Sequence, residues 1–192
     1  MLSYGDTAIV GSIPIRFILT YTTSDFKVDD VVAIGGEVSD FQQEESLIYT
    51  ATFNSVVAAS DMRSIHIPTH VFTDAHGESN HESNLFQWNY DNSRPTITIT
   101  AEEGVSGFAS NNAALSVIFT LSENVTSFVE ASITLNGVGI TLSSFAKISG
   151  LTYNATLTAD GEGLKSIFVD ENAFQDKVSH GNLASNMFEF TY

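Results

Sequence analysis

The densest set of side chains suited to chemistry in this 192-residue chain is Asp74-Ala75-His76-Gly77-Glu78-Ser79-Asn80-His81-Glu82. Carboxylates, an amide and two imidazoles lie close together there, a donor set that suits a divalent cation. Asp74 and Glu78 are its calcium candidates; a solvated polar loop is the plain alternative. His66 and His70 are four apart, the spacing of a helical metal pair. Pro68 lies between them and the run alternates like a strand, so His66 reads as an exposed strand residue. Asn124-Val125-Thr126 and Asn154-Ala155-Thr156 are N-glycosylation acceptors, at Asn124 and Asn154. There is no Cys, which removes disulfides, thiolate metal sites and Cys nucleophiles. No Ser-His-Asp order and no Gly-rich phosphate loop stands out, so no catalytic residue is assigned and the chain does not read as an enzyme.

Charge narrows the partners. Seven Lys and Arg against 23 Asp and Glu give a formal charge of −16. So acidic a surface repels phosphate backbones and anionic headgroups, which argues against nucleic acid and membrane surfaces. Divalent cations, basic surfaces and neutral sugars remain open. No run of about 18 apolar residues is present, so membrane insertion is not expected. The start, Met1-Leu2-Ser3-Tyr4-Gly5-Asp6, lacks a basic region followed by an apolar stretch, so it is not a signal peptide. A secreted protein would carry this chain as an internal piece.

The elements that must position these residues come in two copies. Ser64-Ile65-His66-Ile67 matches Ser166-Ile167-Phe168-Val169, and Phe72-Thr73-Asp74 matches Phe174-Gln175-Asp176. Asn84-Leu85-Phe86-Gln87-Trp88 matches Asn186-Met187-Phe188-Glu189-Phe190; all three pairs share an offset of 102 residues. The offset becomes 104 for Phe41 with Phe145 and for Tyr49 with Tyr153. Ordered matches of large apolar residues mark a structural repeat. Within each copy, period-two alternation (Thr96 to Thr100, Leu115 to Leu121, Tyr153 to Leu157) and turn signals such as Asn136-Gly137 predict about seven short strands, hence a sandwich or barrel. Phe17, Phe26, Phe86 and Trp88 form one predicted core, and Phe119, Phe128, Phe188 and Phe190 the other.

The boundary falls at Asp91 to Pro95, dividing the chain into 1–91 and 92–192. So short a polar linker implies a stiff pair. Asp91 at the seam, with Asp74 and Asp176 recurring in equivalent loops, suggests a second place for calcium, although Arg94 there opposes it. The second copy opens with a strand at Pro95 to Ala101. Its equivalent in the first copy would precede residue 1. The first copy therefore lacks that strand, substitutes Ala8-Ile9-Val10, or has been cut from a longer array; a missing edge strand leaves backbone groups that another chain could pair.

Arg94-Pro95-Thr96-Ile97-Thr98-Ile99, the stretch Phe119-Thr120-Leu121-Ser122-Glu123-Asn124-Val125-Thr126-Ser127-Phe128, then Tyr153-Asn154-Ala155-Thr156-Leu157, Ala173-Phe174-Gln175-Asp176 and the closing Phe188-Glu189-Phe190-Thr191-Tyr192 follow a known order. They resemble the bacterial Ig-like repeats of large surface proteins in bacteria, microalgae and other protists. The resemblance implies an all-β chain of two tandem immunoglobulin-like β-sandwich domains of about seven strands each, the first with an atypical or missing opening strand. It further implies an extracellular or cell-surface location, with neighbouring Ig-like modules or subunits as partners. The expected role is a stiff spacer and interaction segment of an array or filament, which requires no cofactor, with calcium as a candidate one. The alternative is an adhesin-type module recognising carbohydrate or another protein, for which Tyr4, Tyr21 and Phe41 are the available aromatics.

Overall fold

A computed structural model describes residues 2–56 and 61–192. They form two units, Met1–Ser93 and Arg94–Tyr192. Regular structure is strand throughout, apart from single 3-10 turns at Val28–Asp30 and Glu130–Ser132. The expected all-β class is what is found.

The first unit contains β1 (Thr7–Ala8), β2 (Ser12–Ile18), β3 (Val32–Ile34), β4 (Gly36–Glu45), β5 (Ile48–Ser55), β6 (Asp61–His66) and β7 (Phe86–Tyr90). They make two sheets, β1-β7-β6-β3 and β2-β5-β4. The second unit contains β8 (Ile97–Ala101), β9 (Phe108–Ala109), β10 (Ala114–Leu121), β11 (Thr134–Asn136), β12 (Ile140–Lys147), β13 (Thr152–Ala159), β14 (Leu164–Phe168) and β15 (Phe188–Thr191). Its sheets are β9-β15-β14-β11 and β8-β10-β13-β12. Pairing is antiparallel except for β1 on β7 and β9 on β15.

Alternation explains the layers. Along β13, Tyr153, Ala155, Leu157 and Ala159 are buried while the residues between them are half-buried; Tyr49, Ala51 and Phe53 do the same on β5. Successive side chains of a strand point to opposite faces, so one face is left for the core. Phe26 in the first unit meets Phe17 at 5.7 Å and Tyr49 at 5.0 Å. Phe128 meets Phe119 at 5.7 Å and Tyr153 at 5.0 Å in the second. Such edge-to-face contacts add to the ~2–3 kcal/mol each buried ring contributes by leaving water. Phe17, Phe26 and Trp88 are buried, as are Phe119, Phe128, Phe188 and Phe190. Phe86 is only half-buried.

The change of offset has a local cause: Gly35 alone separates β3 from β4, whereas Gly137, Val138 and Gly139 separate β11 from β12. β4 and β12 each slip register against their partners, between Ser39 and Gln42 and between Ser143 and Ala146. Asp40 and Ser144 hold left-handed φ values of 52° and 54° at these bulges. Each bulge turns the next residue inward. Phe41, expected from sequence as an available surface aromatic, packs 6.0 Å from Phe17 and 5.1 Å from Phe26.

Candidate functional site

The polar loop between β6 and β7 is organised by an amide. Asn80 Oδ1 accepts from the Val71 and Phe72 N–H groups at 2.8 and 3.1 Å. Its Nδ2 donates to the Pro68 and His81 carbonyls at 2.6 and 2.9 Å. Asn182 is fully buried and repeats the arrangement: it accepts from Phe174 N–H at 2.9 Å and donates to the Asp170 and Leu183 carbonyls at 2.8 and 2.7 Å. Loop backbone that leaves the sheet needs such partners. Neither Asn was singled out from sequence as structural, although the 102-residue offset relates them.

The predicted metal acids work at the same task. Asp74 Oδ1 accepts from the N–H groups of His76 (2.8 Å) and Glu78 (3.0 Å), with His76 Nδ1 3.5 Å from Oδ2. The Glu78 N–H bond, chiefly, holds the Asp74 carboxyl below the usual range. Asp176 accepts from Val178 and His180 N–H at 2.8 and 2.9 Å, and its Oδ2 lies 3.1 Å from His180 Nδ1. Asp91 Oδ1 accepts from Ser93 N–H and hydroxyl at 3.1 and 2.6 Å. Asp74 and Glu78 thus share one turn, joined through the Glu78 backbone, while the Glu78 side chain is exposed. These are Asx-type turns in which carboxylate oxygens are already used by backbone donors. Within the second unit a Glu123 oxygen lies within 4.8 Å of an Asp176 oxygen. In the sequence Glu123 stands only within the Phe119 to Phe128 stretch that carries the family resemblance.

Two further features escape sequence reading. Asp25 accepts from the Thr23 hydroxyl at 2.7 Å and from Thr73 N–H and hydroxyl at 3.1 and 2.9 Å. The Thr23 bond, followed by those from Thr73, lowers its carboxyl below the ordinary value of 3.8. At matching repeat positions, Arg63 and Lys165 are buried cations, with the Lys165 ammonium 2.7 Å from the Val138 carbonyl.

The sequons differ in access. Asn124 is exposed in the loop after β10, whereas Asn154 is half-buried within β13, between Ile118 of β10 and Ala146 of β12. Tyr4 is exposed, with its hydroxyl 2.9 Å from Gln87 Oε1.

A large concavity with a mixed lining runs along β2 in the first unit, with a volume of about 1160 Å³. Ile15, Leu19, Phe72 and Phe86 supply its apolar floor, and Asp74, His76 and Glu78 line its polar end. Exposed Tyr21 stands at that end with its ring 5.9 Å from the His76 imidazole. His66 lines the concavity from β6, whereas His70 sits in the following turn with φ 62°.

The bacterial Ig-like domain model matches the sequence twice, at residues 2–90 and 91–192. The chain belongs to this family, and its two sandwiches are bacterial Ig-like domains. No protein of curated function matches it. Among solved structures it is similar to the D00-D0 domain of intimin, at 15% identity and TM-score 0.46, over 97% of this chain and 95% of that one. It is also similar to InvD of Yersinia pseudotuberculosis, at 13% and 0.41, over 98% of this chain and 54% of that one. A third is the SGBP-B of Bacteroides ovatus in complex with a mixed-linkage heptasaccharide, at 14% and 0.29, over 100% and 45%. At these scores the three carry no argument about activity. Among the described residues no helix is long and apolar enough to cross a membrane.

Proposed function

We propose that the chain is a stiff spacer and interaction segment of an extracellular surface protein or filament built from tandem Ig-like domains. The observation that supports this is the use made of the polar residues. In both domains the acids and amides that looked like ligands bind their own loop backbone, at Asp74 and Asp176 and at Asn80 and Asn182. Such staples lower the freedom of the loops, which suits a load-bearing part. Calcium held by Asp74, Glu78, Asp91 or Asp176 belongs to this reading as a stiffening ion, and a glycan on exposed Asn124 as a surface modification. Neighbouring Ig-like modules are its proposed partners.

The adhesin reading is favoured by a separate observation, the exposed Tyr21 ring beside His76 at the end of the concavity. A ring face rimmed by carboxylates and imidazole suits a neutral sugar. A glycan array probed with the 192-residue chain separates the two readings. The spacer reading expects no saturable binding. A glycan whose binding disappears in Tyr21→Ala would replace it with the adhesin.

A further inference from the structure

The concavity of the first domain occupies the place that a strand fills in the second. There, β8 pairs antiparallel with β10, Ile97 opposite Leu121, Ile99 opposite Phe119 and Ala101 opposite Val117. The repeat equates Val117, Phe119 and Leu121 with Ile15, Phe17 and Leu19 at an offset of 102. Among the described residues, β2 pairs only with β5, so its other edge is open. The two-residue β1 takes the role of β9, against β7, and leaves the β8 position unfilled.

The core registers the difference. Val117, Leu121, Phe174 and Phe188 are at most 3% exposed. Their equivalents Ile15, Leu19, Phe72 and Phe86 are only half-buried, and all four line the concavity. Ile97 and Ile99, both buried, are what covers this surface in the second domain.

The receiving groups are also present in both domains. In the second, the Asn186 amide clasps β8 from the segment before β15: its Oδ1 accepts from Ile99 N–H at 2.8 Å and its Nδ2 donates to the Ile99 carbonyl at 2.9 Å. Leu183 N–H donates to the Pro95 carbonyl at 2.9 Å, and the Ser122 hydroxyl accepts from Thr96 N–H at 2.9 Å. The equivalents Asn84, His81 and Thr20 all line the concavity, and the backbone around Asn84 is set identically, with the Ser83 hydroxyl donating to the Asn84 carbonyl at 2.9 Å as Ser185 does to Asn186 at 2.7 Å. An amide pair aimed at an extended backbone is specific for a strand; a sugar or an apolar ligand would not need it.

We propose that the groove along β2 is the acceptor for an extended strand with the chemistry of Arg94 to Ala101, the opening strand of another repeat of this kind. It pairs antiparallel with Ile15 to Leu19, sets alternate β-branched side chains on the apolar floor and is clasped by Asn84. The carboxylates of Asp74 and Glu78 at the groove's polar end suit the leading Arg. In the second domain that Arg94 donates to the Gly181 carbonyl at 2.7 Å and to Glu171 Oε1 at 2.6 Å. Pro14 does not obstruct the pairing. Its equivalent Ser116 lies outside the β8 ladder and gives its N–H to the Glu103 side chain, so a residue without N–H loses no ladder bond there. The proposal stands whether the chain spans distance or recognises a glycan.

The test adds a labelled synthetic peptide, Arg-Pro-Thr-Ile-Thr-Ile-Thr-Ala, to the intact chain and follows binding by fluorescence anisotropy and backbone hydrogen exchange. Saturable binding with new protection at Ile15 to Leu19 is expected. Loss of the two clasping bonds in Asn84→Ala, an exposed position, weakens binding by roughly tenfold or more without changing the melting temperature. A peptide with Asp in place of the second Ile does not bind. Protection confined to β10, equal binding by the Asp peptide, or no binding at all overturns the proposal. So does self-association of the chain that the peptide cannot compete, or an oligosaccharide that protects the same amides when the peptide does not.

Discussion

Single residues carry much of the loop order in both domains, and Asn182 is the clearest. Three described hydrogen bonds converge on its buried amide. Asn182→Ala leaves the Leu183 carbonyl and the Phe174 N–H without those partners and the Asp170 carbonyl with only the 3.4 Å bond from Ala173 N–H, at a cost of about 2–4 kcal/mol. Urea denaturation of the variant measures this, and a change below ~0.5 kcal/mol would show that water replaces the amide. Asp25 makes a pH-dependent contribution of smaller size, since it is exposed and partly screened. Its folded carboxyl titrates below the 3.8 of the unfolded chain. The unfolded state therefore takes up the proton first as pH falls. The stabilisation is complete above that unfolded value and is lost as pH drops through the lower folded one. Asp25→Asn should lower the melting temperature at pH 7, and the gap to wild type should close as the pH falls below the lowered folded value; a constant gap would assign the effect to shape rather than charge.

At the scale of the element, the buried cations and the turns that face them form a repeated device. Gly35 and Gly137 precede matched strand segments with φ of 76° and 121°. A Cβ on Gly35 would run into the Arg63 Cδ, and one on Gly137 would come 2.9 Å from the Leu164 carbonyl oxygen. Gly35→Ala combines backbone strain with displacement of a buried guanidinium, and we expect a loss of about 2–4 kcal/mol. Denaturant melts of Gly35→Ala beside Gly77→Ala, where a Cβ meets nothing within 4 Å, separate the steric part from the φ cost. Equal losses in the two would remove the role given to Arg63. These elements were unequally legible in the sequence. The β10 and β13 ladders were plain because seven or eight alternating residues carry a period, and the repeat of aromatic residues located both cores. β1 and β9 were not, since two residues have no period to read. Phe41 reads as a surface aromatic in the sequence because the bulge at Asp40 reverses its side chain without changing the local composition. Asp74 and Asp176 were legible as acidic loop positions, but the N–H groups that each carboxylate serves were not, because the turn backbone sets those bonds.

For the whole molecule, the unequal domains predict unequal stability. Four half-buried side chains in the first replace four fully buried ones in the second, and the five-residue β8 ladder has no equivalent among its described strands. Burial of an apolar side chain contributes about 1.5–3 kcal/mol when complete. Partial exposure of four such residues therefore lowers the first domain by several kcal/mol, a large share of the ~5–15 kcal/mol typical of a domain. Calorimetry of the intact chain should show two transitions, the lower belonging to the first domain. Asn182→Ala should move only the upper transition and Gly35→Ala only the lower, which assigns each without dividing the chain. A single cooperative transition would mean that the two domains unfold as one body. A lower transition that follows Asn182→Ala would mean that the open edge of β2 costs less than the buried area implies.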